Sequence, residues 1–108
     1  MKEIHSTDEW ADVRDASKGG AVFLLKHSST CPVSAAGFRE FERFDTSIPK
    51  YFVTVQTARS VSNDIELATG IRHETPQLLL FVDGQAVWNA SHYSITRSKI
   101  QSAVEAYV

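Results

Sequence analysis

The segment Ala21-Val22-Phe23-Leu24-Leu25-Lys26-His27-Ser28-Ser29-Thr30-Cys31-Pro32-Val33-Ser34 decides the fold. Ala21–Leu25 is short, apolar throughout and partly β-branched or aromatic, so it reads as a central strand covered on both faces. His27–Thr30 is a polar loop. A helix begins near Cys31-Pro32, because the missing N–H of a proline is not needed in a first turn. A cysteine placed after a central strand, in a polar loop and before a helix reads as a displayed thiol. The alternative is a buried structural thiol, since free cysteine packs as a small hydrophobe.

Outward from this segment the elements alternate. Lys2–His5 is a short strand, and Ser6-Thr7-Asp8-Glu9 fits a capping box that opens a helix. Trp10, Val13 and Ala16 form its apolar stripe, and Gly19-Gly20 ends it. Phe38, Phe41 and Phe44 spread over a broad buried face at steps of about 60°. Tyr51–Val55 is a strand; Val61, Ile65 and Ala68 mark a helix that stops at Gly70. Pro76 precedes a strand at Gln77–Val82, and Asp83-Gly84 turns the chain into another at Gln85–Trp88. Ile100, Ala103, Val104 and Tyr107 give a closing helix. The order β-α-β-α-β-α-β-β-α requires parallel crossovers early and an antiparallel hairpin late, hence a mixed central sheet flanked by helices in an α/β domain.

Composition narrows the function classes. The 108 residues hold 11 Lys and Arg against 13 Asp and Glu, and 43 % are hydrophobic, so residues 1–108 are read as one folded domain. The balanced charge gives no footprint for nucleic acid or anionic lipid, and the apolar runs are too short to span a bilayer. No apolar leader follows Met1, so a cytoplasmic location is expected. The single cysteine excludes an intramolecular disulfide and a multi-thiolate zinc site, and the four histidines have no metal-ligand spacing.

Cys31 is the candidate nucleophile, because the thiolate is the attacking species and a helix N-terminus stabilises an anion. On this reading the N–H groups of Val33 and Ser34 point toward the sulfur. Pro32 fixes the first turn, and the Ser34 hydroxyl adds a hydrogen bond. Lys26 and His27 flank the loop as candidates for binding a substrate carboxylate or supporting the thiolate; the alternative is a solvated strand end and a loop residue. His73 and Glu74, just before Pro76, read as solvated loop residues, the alternative being that they line a groove beside Cys31.

Two stretches carry a resemblance. Asn63–Arg72 followed by Thr75–Gly84 resembles the second half of thioredoxin-fold proteins, and Lys26–Ser34 resembles the active-site segment of the monothiol bacilliredoxin family, which carries Thr-Cys-Pro-aliphatic-Ser. The resemblance implies a thioredoxin-like fold over the whole chain and a cis bond at Thr75–Pro76. It also implies that Pro76 packs beside Cys31, and that Thr30 and the Thr75 backbone line the substrate groove. It further implies thiol–disulfide exchange with bacillithiol as thiol co-substrate, bacillithiolated proteins as partners and no bound cofactor. Regeneration falls to a second small thiol or a disulfide reductase. Ser34 stands where dithiol thioredoxins have their second cysteine, which removes the usual resolving step. Two other readings are an iron–sulfur carrier, although monothiol glutaredoxins carry Cys-Gly-Phe-Ser instead, and a thioredoxin-like adaptor without catalysis.

Overall fold

Strand β2 (Val22–His27) lies at the centre of a five-stranded sheet in the computed structural model, which describes residues 1–108. With β1 (Lys2–Glu3), β3 (Lys50–Thr54), β4 (Gln77–Val82) and β5 (Gln85–Ser91), the spatial order is β1-β3-β2-β4-β5. β3 runs parallel to both β1 and β2, whereas β4 is antiparallel to β2 and β5. The helices are α1 (Thr7–Ala16), α2 (Pro32–Arg43), α3 (Arg59–Thr69) and α4 (Arg97–Tyr107). This is the expected mixed sheet in the expected order. No helix is long and apolar enough to cross a membrane.

The alternation of β2 sorts the core. Val22 and Leu24 face a cluster with Trp10, Val13, Val61 and Ile65 from α1 and α3. Phe23 and Leu25 face the opposite cluster with Phe41, Ile100 and Ala103 from α2 and α4. Continuing the period of two, Lys26 belongs to the α1/α3 face and His27 to the α2 face.

The local signals hold with small shifts. Ser6 Oγ caps α1 by accepting from Glu9 N–H at 3.1 Å, while the Glu9 carboxylate accepts from His5 N–H at 2.9 Å, one residue earlier than a capping box requires. The buried stripe of α1 continues to Ser17 rather than Ala16, since Ser17 falls four residues after Val13 and its hydroxyl accepts from Gly84 N–H at 2.8 Å. Ala68 and Tyr107, expected on buried faces, are exposed near the ends of α3 and α4. Gly70 ends α3 at φ 69°, and Asp83-Gly84 makes the hairpin turn with φ 54° and 76°. β3 starts one residue earlier than expected. β5 runs on to Ser91, because Asn89–Ser91 pair with Gln77–Leu79.

Candidate active site

The C-terminal end of β2 carries the loop that leads to Cys31, and Cys31 is the N-cap of α2 with extended backbone (φ −102°, ψ 124°). Its carbonyl accepts the first helical bond, from Ala35 N–H at 3.0 Å, and Pro32 occupies the first turn where no donor is needed. The thiol is half-buried. It does not cap the helix by a hydrogen bond, so the expected N–H contacts from Val33 and Ser34 are not made to the sulfur. The site thus has a cysteine at a helix N-terminus whose own side chain takes none of the first-turn donors.

Ser34 departs from expectation for a physical reason. Its side chain is fully buried, and a buried hydroxyl needs a protein partner. Ser34 Oγ accepts from Ser28 N–H at 3.0 Å, which fastens the loop to the helix rather than adding a bond to Cys31. Gln56, just beyond β3, completes the fastening. Its Oε1 accepts from Ser29 N–H at 3.2 Å, and its Nε2 donates to Ser28 Oγ at 2.7 Å and Thr30 Oγ1 at 3.2 Å. Gln56 escaped the sequence reading. The available signal was topological: β3 is parallel to β2, so the residues after β3 emerge beside the loop that follows β2.

Lys26 and His27 do not have the exposed, cationic roles proposed for them. Lys26 has no accessible surface; its Nζ lies 3.1 Å from His73 Nδ1. Burial lowers its ammonium to about 8, against the opposing pull of Glu66. His27 packs against Phe38 and Phe52, with ring centroids 4.8 and 6.3 Å away, and its Nδ1 is buried without a partner. Burial also pushes the His27 imidazole below its ordinary value, with Glu3 opposing. Neither side chain presents a free cation to a carboxylate in the bulk solvent.

The Thr75–Pro76 bond is cis. The β2–β4 ladder ends at Lys26 and Gln77, so the chain just before Gln77, Thr75-Pro76, continues from the same end of the sheet as His27 and Ser28. Pro76 also packs on α2: a Cβ built at Gly37 would stand 3.3 Å from Pro76 Cγ and 3.4 Å from Ile95 Cδ1. Thr75 makes no backbone hydrogen bond within the protein, which leaves an unpaired main-chain edge. On the other side, Pro76 O accepts from His92 N–H at 2.9 Å, so the turn His92–Ser94 flanks the same segment. Cys31, Thr30, Thr75 and Pro76 are therefore carried at one end of the sheet. The open cavity of about 530 Å³ between α1 and α3 includes none of them in its lining.

Comparison with known proteins bears on the fold and the family. The monothiol bacilliredoxin BrxC family matches residues 2–100. A solved structure assigned as an oxidoreductase with a thioredoxin fold is 36% identical, covering 94% of this chain and 91% of that one at a TM-score of 0.88. The thioredoxin of Malassezia sympodialis superposes at a TM-score of 0.78 with 22% identity, over 99% of this chain and 90% of that one. Fasciola hepatica thioredoxin superposes at 0.80 with 12% identity over the full length of both chains. These two more distant likenesses establish the fold. With the family match spanning nearly the whole chain, the protein belongs to the monothiol bacilliredoxin BrxC family of thioredoxin-fold thiol–disulfide oxidoreductases.

Proposed function

We propose that the chain removes a low-molecular-weight thiol, bacillithiol, from mixed disulfides on protein cysteines, using Cys31 alone. The observation that carries this reading is the pairing of one cysteine at the N-cap of α2 with a buried serine at the position of a resolving thiol. The Cys31 thiolate attacks the bacillithiol sulfur of the target disulfide. That S–S bond breaks, the target leaves as a thiolate, and Cys31 becomes the bacillithiol mixed disulfide. A second bacillithiol thiolate then attacks the bacillithiol sulfur of the adduct, which releases Cys31 and forms bacillithiol disulfide. A disulfide reductase is the other route for this second step.

Cys31 stands at the N-terminus of α2 in both halves of the cycle, as attacking sulfur and as leaving group. The unpaired main chain of Thr75 offers an N–H and a C=O to an extended thiol compound. The test is intact-mass spectrometry with a bacillithiolated target protein. Transfer of one bacillithiol to Cys31, absent in Cys31→Ser, is expected. A target that stays bacillithiolated in the presence of the parent protein refutes the reading. Cytoplasmic action in a bacillithiol pool is part of the same proposal.

A further inference from the structure

Lys26 is the one charged side chain without accessible surface, and it sits in the central strand five residues before Cys31. An ammonium there requires a partner, and a hydrophobe such as its face-mate Leu24 would fill the space without one. The partner is His73 Nδ1 at 3.1 Å. An ammonium only donates, so Nδ1 must hold a lone pair and the ring proton must lie on Nε2. Ser62 Oγ, 3.1 Å from the same nitrogen, can donate to it as well. The backbone is fixed too, since His73 N–H donates to Glu66 Oε2 at 2.6 Å. His73 itself is exposed, and its Nε2–H has no partner within the protein.

The position of this oriented donor is informative. His73 stands three residues before cis-Pro76, in the segment that leads into β4 at the end of the sheet where β2 gives way to the cysteine loop. A purely structural anchor would be complete with Ser62 and Glu66 and would need no buried charge. The groups facing the ring are Lys26 from β2, Arg59, Ser62 and Glu66 from α3, and Glu74 beside it. Burial, Lys26 and Arg59 all disfavour a second ring proton, while Glu66 and Glu74 oppose them, and the imidazole is held below its ordinary value.

We propose that His73 is a specificity-determining residue: its Nε2–H donates to an oxygen acceptor, carboxylate or hydroxyl, of the small thiol joined to Cys31, and buried Lys26 is the positioning residue that sets the tautomer. The proposal rests on the thiol-exchange reading above and names the part of the small thiol that this site recognises. Lys26, though unable to meet a substrate itself, acts on it through the ring.

The experiment compares two mixed disulfides of one target protein, one carrying bacillithiol and one carrying ethanethiol, which offers no oxygen acceptor. His73→Ala is expected to raise KM for the bacillithiol substrate about tenfold, equivalent to about 1.4 kcal/mol, with the ethanethiol substrate unchanged. Nitrogen-15 NMR of the parent should show His73 protonated on Nε2 alone, and Lys26→Met should restore a mixture of tautomers. Equal losses on both substrates, or no loss on either, overturn the proposal, as does an Nδ1–H tautomer in the parent. A parent that exchanges ethanethiol but not bacillithiol overturns it together with the assigned co-substrate. A parent inert to both substrates overturns the exchange reading itself. Failure of the function is thus read on the exchange activity of the parent, and failure of the present proposal on the variants and on the His73 tautomer.

Discussion

The backbone N–H of Ser28 donates to the buried hydroxyl oxygen of Ser34 at 3.0 Å, tying the loop before Cys31 to the first turn of the helix after it. Ser34 is thereby a structural clasp placed one helical turn from the thiol. Ser34→Ala should leave a part-buried N–H unpaired, at a destabilisation of about 1–2 kcal/mol. Thermal unfolding is the measurement; a drop of about 5 °C or more is expected for a domain of this size.

Ser34→Cys asks a different question of the same position. A second thiol one turn along from Cys31 should attack the Cys31 mixed disulfide and expel the small thiol. Mass spectrometry under mild oxidation should show an intramolecular disulfide in the variant and a persistent Cys31 adduct in the parent. A variant that accumulates the adduct without linking its cysteines contradicts the placement of Ser34 relative to the sulfur.

Gln56→Ala removes three hydrogen bonds to Ser28, Ser29 and Thr30, all on the protein surface. Exposed bonds contribute little to global stability, so the unfolding free energy should fall by less than about 1 kcal/mol. The local effect should be larger: faster amide exchange at Ser29 and slower disulfide exchange at Cys31. Gln56→Glu keeps the acceptor for Ser29 but loses both donors, and should fall between.

Gly37→Ala tests the contact between α2 and the cis-Pro76 segment. The added methyl meets Pro76 Cγ at 3.3 Å and Ile95 Cδ1 at 3.4 Å, and the proline ring cannot rotate away. Helix propensity favours alanine by about 1 kcal/mol, and the tight contact opposes it. We expect the contact to prevail, with net destabilisation by chemical denaturation and a raised KM for the exchange substrate.

The pH dependence of stability follows from Lys26. Its folded value of about 8 lies below the ordinary 10.5, so between these values the unfolded chain binds more protons than the folded one. Stability from this group therefore rises with pH across that window. His73, also depressed, acts lower: its contribution is present above 6.5 and lost as pH falls through its folded value. Denaturation curves of the parent and Lys26→Met between pH 8 and about 10.5 should show a smaller upper rise in the variant, the remainder belonging to Lys50, whose ammonium is also held below its ordinary value by burial.

The architecture was readable because each element follows a period: β2 alternates between two apolar clusters, and Val61 and Ile65 repeat at helical spacing on α3. Proline and glycine supplied the punctuation at Pro32, Gly70 and Asp83-Gly84. What local pattern cannot carry is pairing over distance. The extension of β5 depends on Gln77–Leu79, and the irregularity opposite Leu80 and Phe81 belongs to neither strand alone. The same limit governs the site. Cys31 and Pro76 stand out as residue types in context. Gln56 and His73 are ordinary polar residues until the fold brings them to Ser28–Thr30 and Lys26. Lys26 itself looks like a strand terminus, because a charged residue at a strand end is normally wet.

The hydroxyl at position 34 also fixes the electron count of the chain. A protein with two thiols in this motif stores a pair of electrons internally, and its oxidation by a small disulfide liberates two thiol molecules, so dilution alone favours the oxidised form. With one sulfur, exchange with a small disulfide consumes one molecule and liberates one. In the proposed monothiol exchange, occupancy of Cys31 would follow the ratio of small disulfide to small thiol and be indifferent to their total concentration. On that proposal, one oxygen atom in place of sulfur would make the site a ratiometric gauge of its thiol pool.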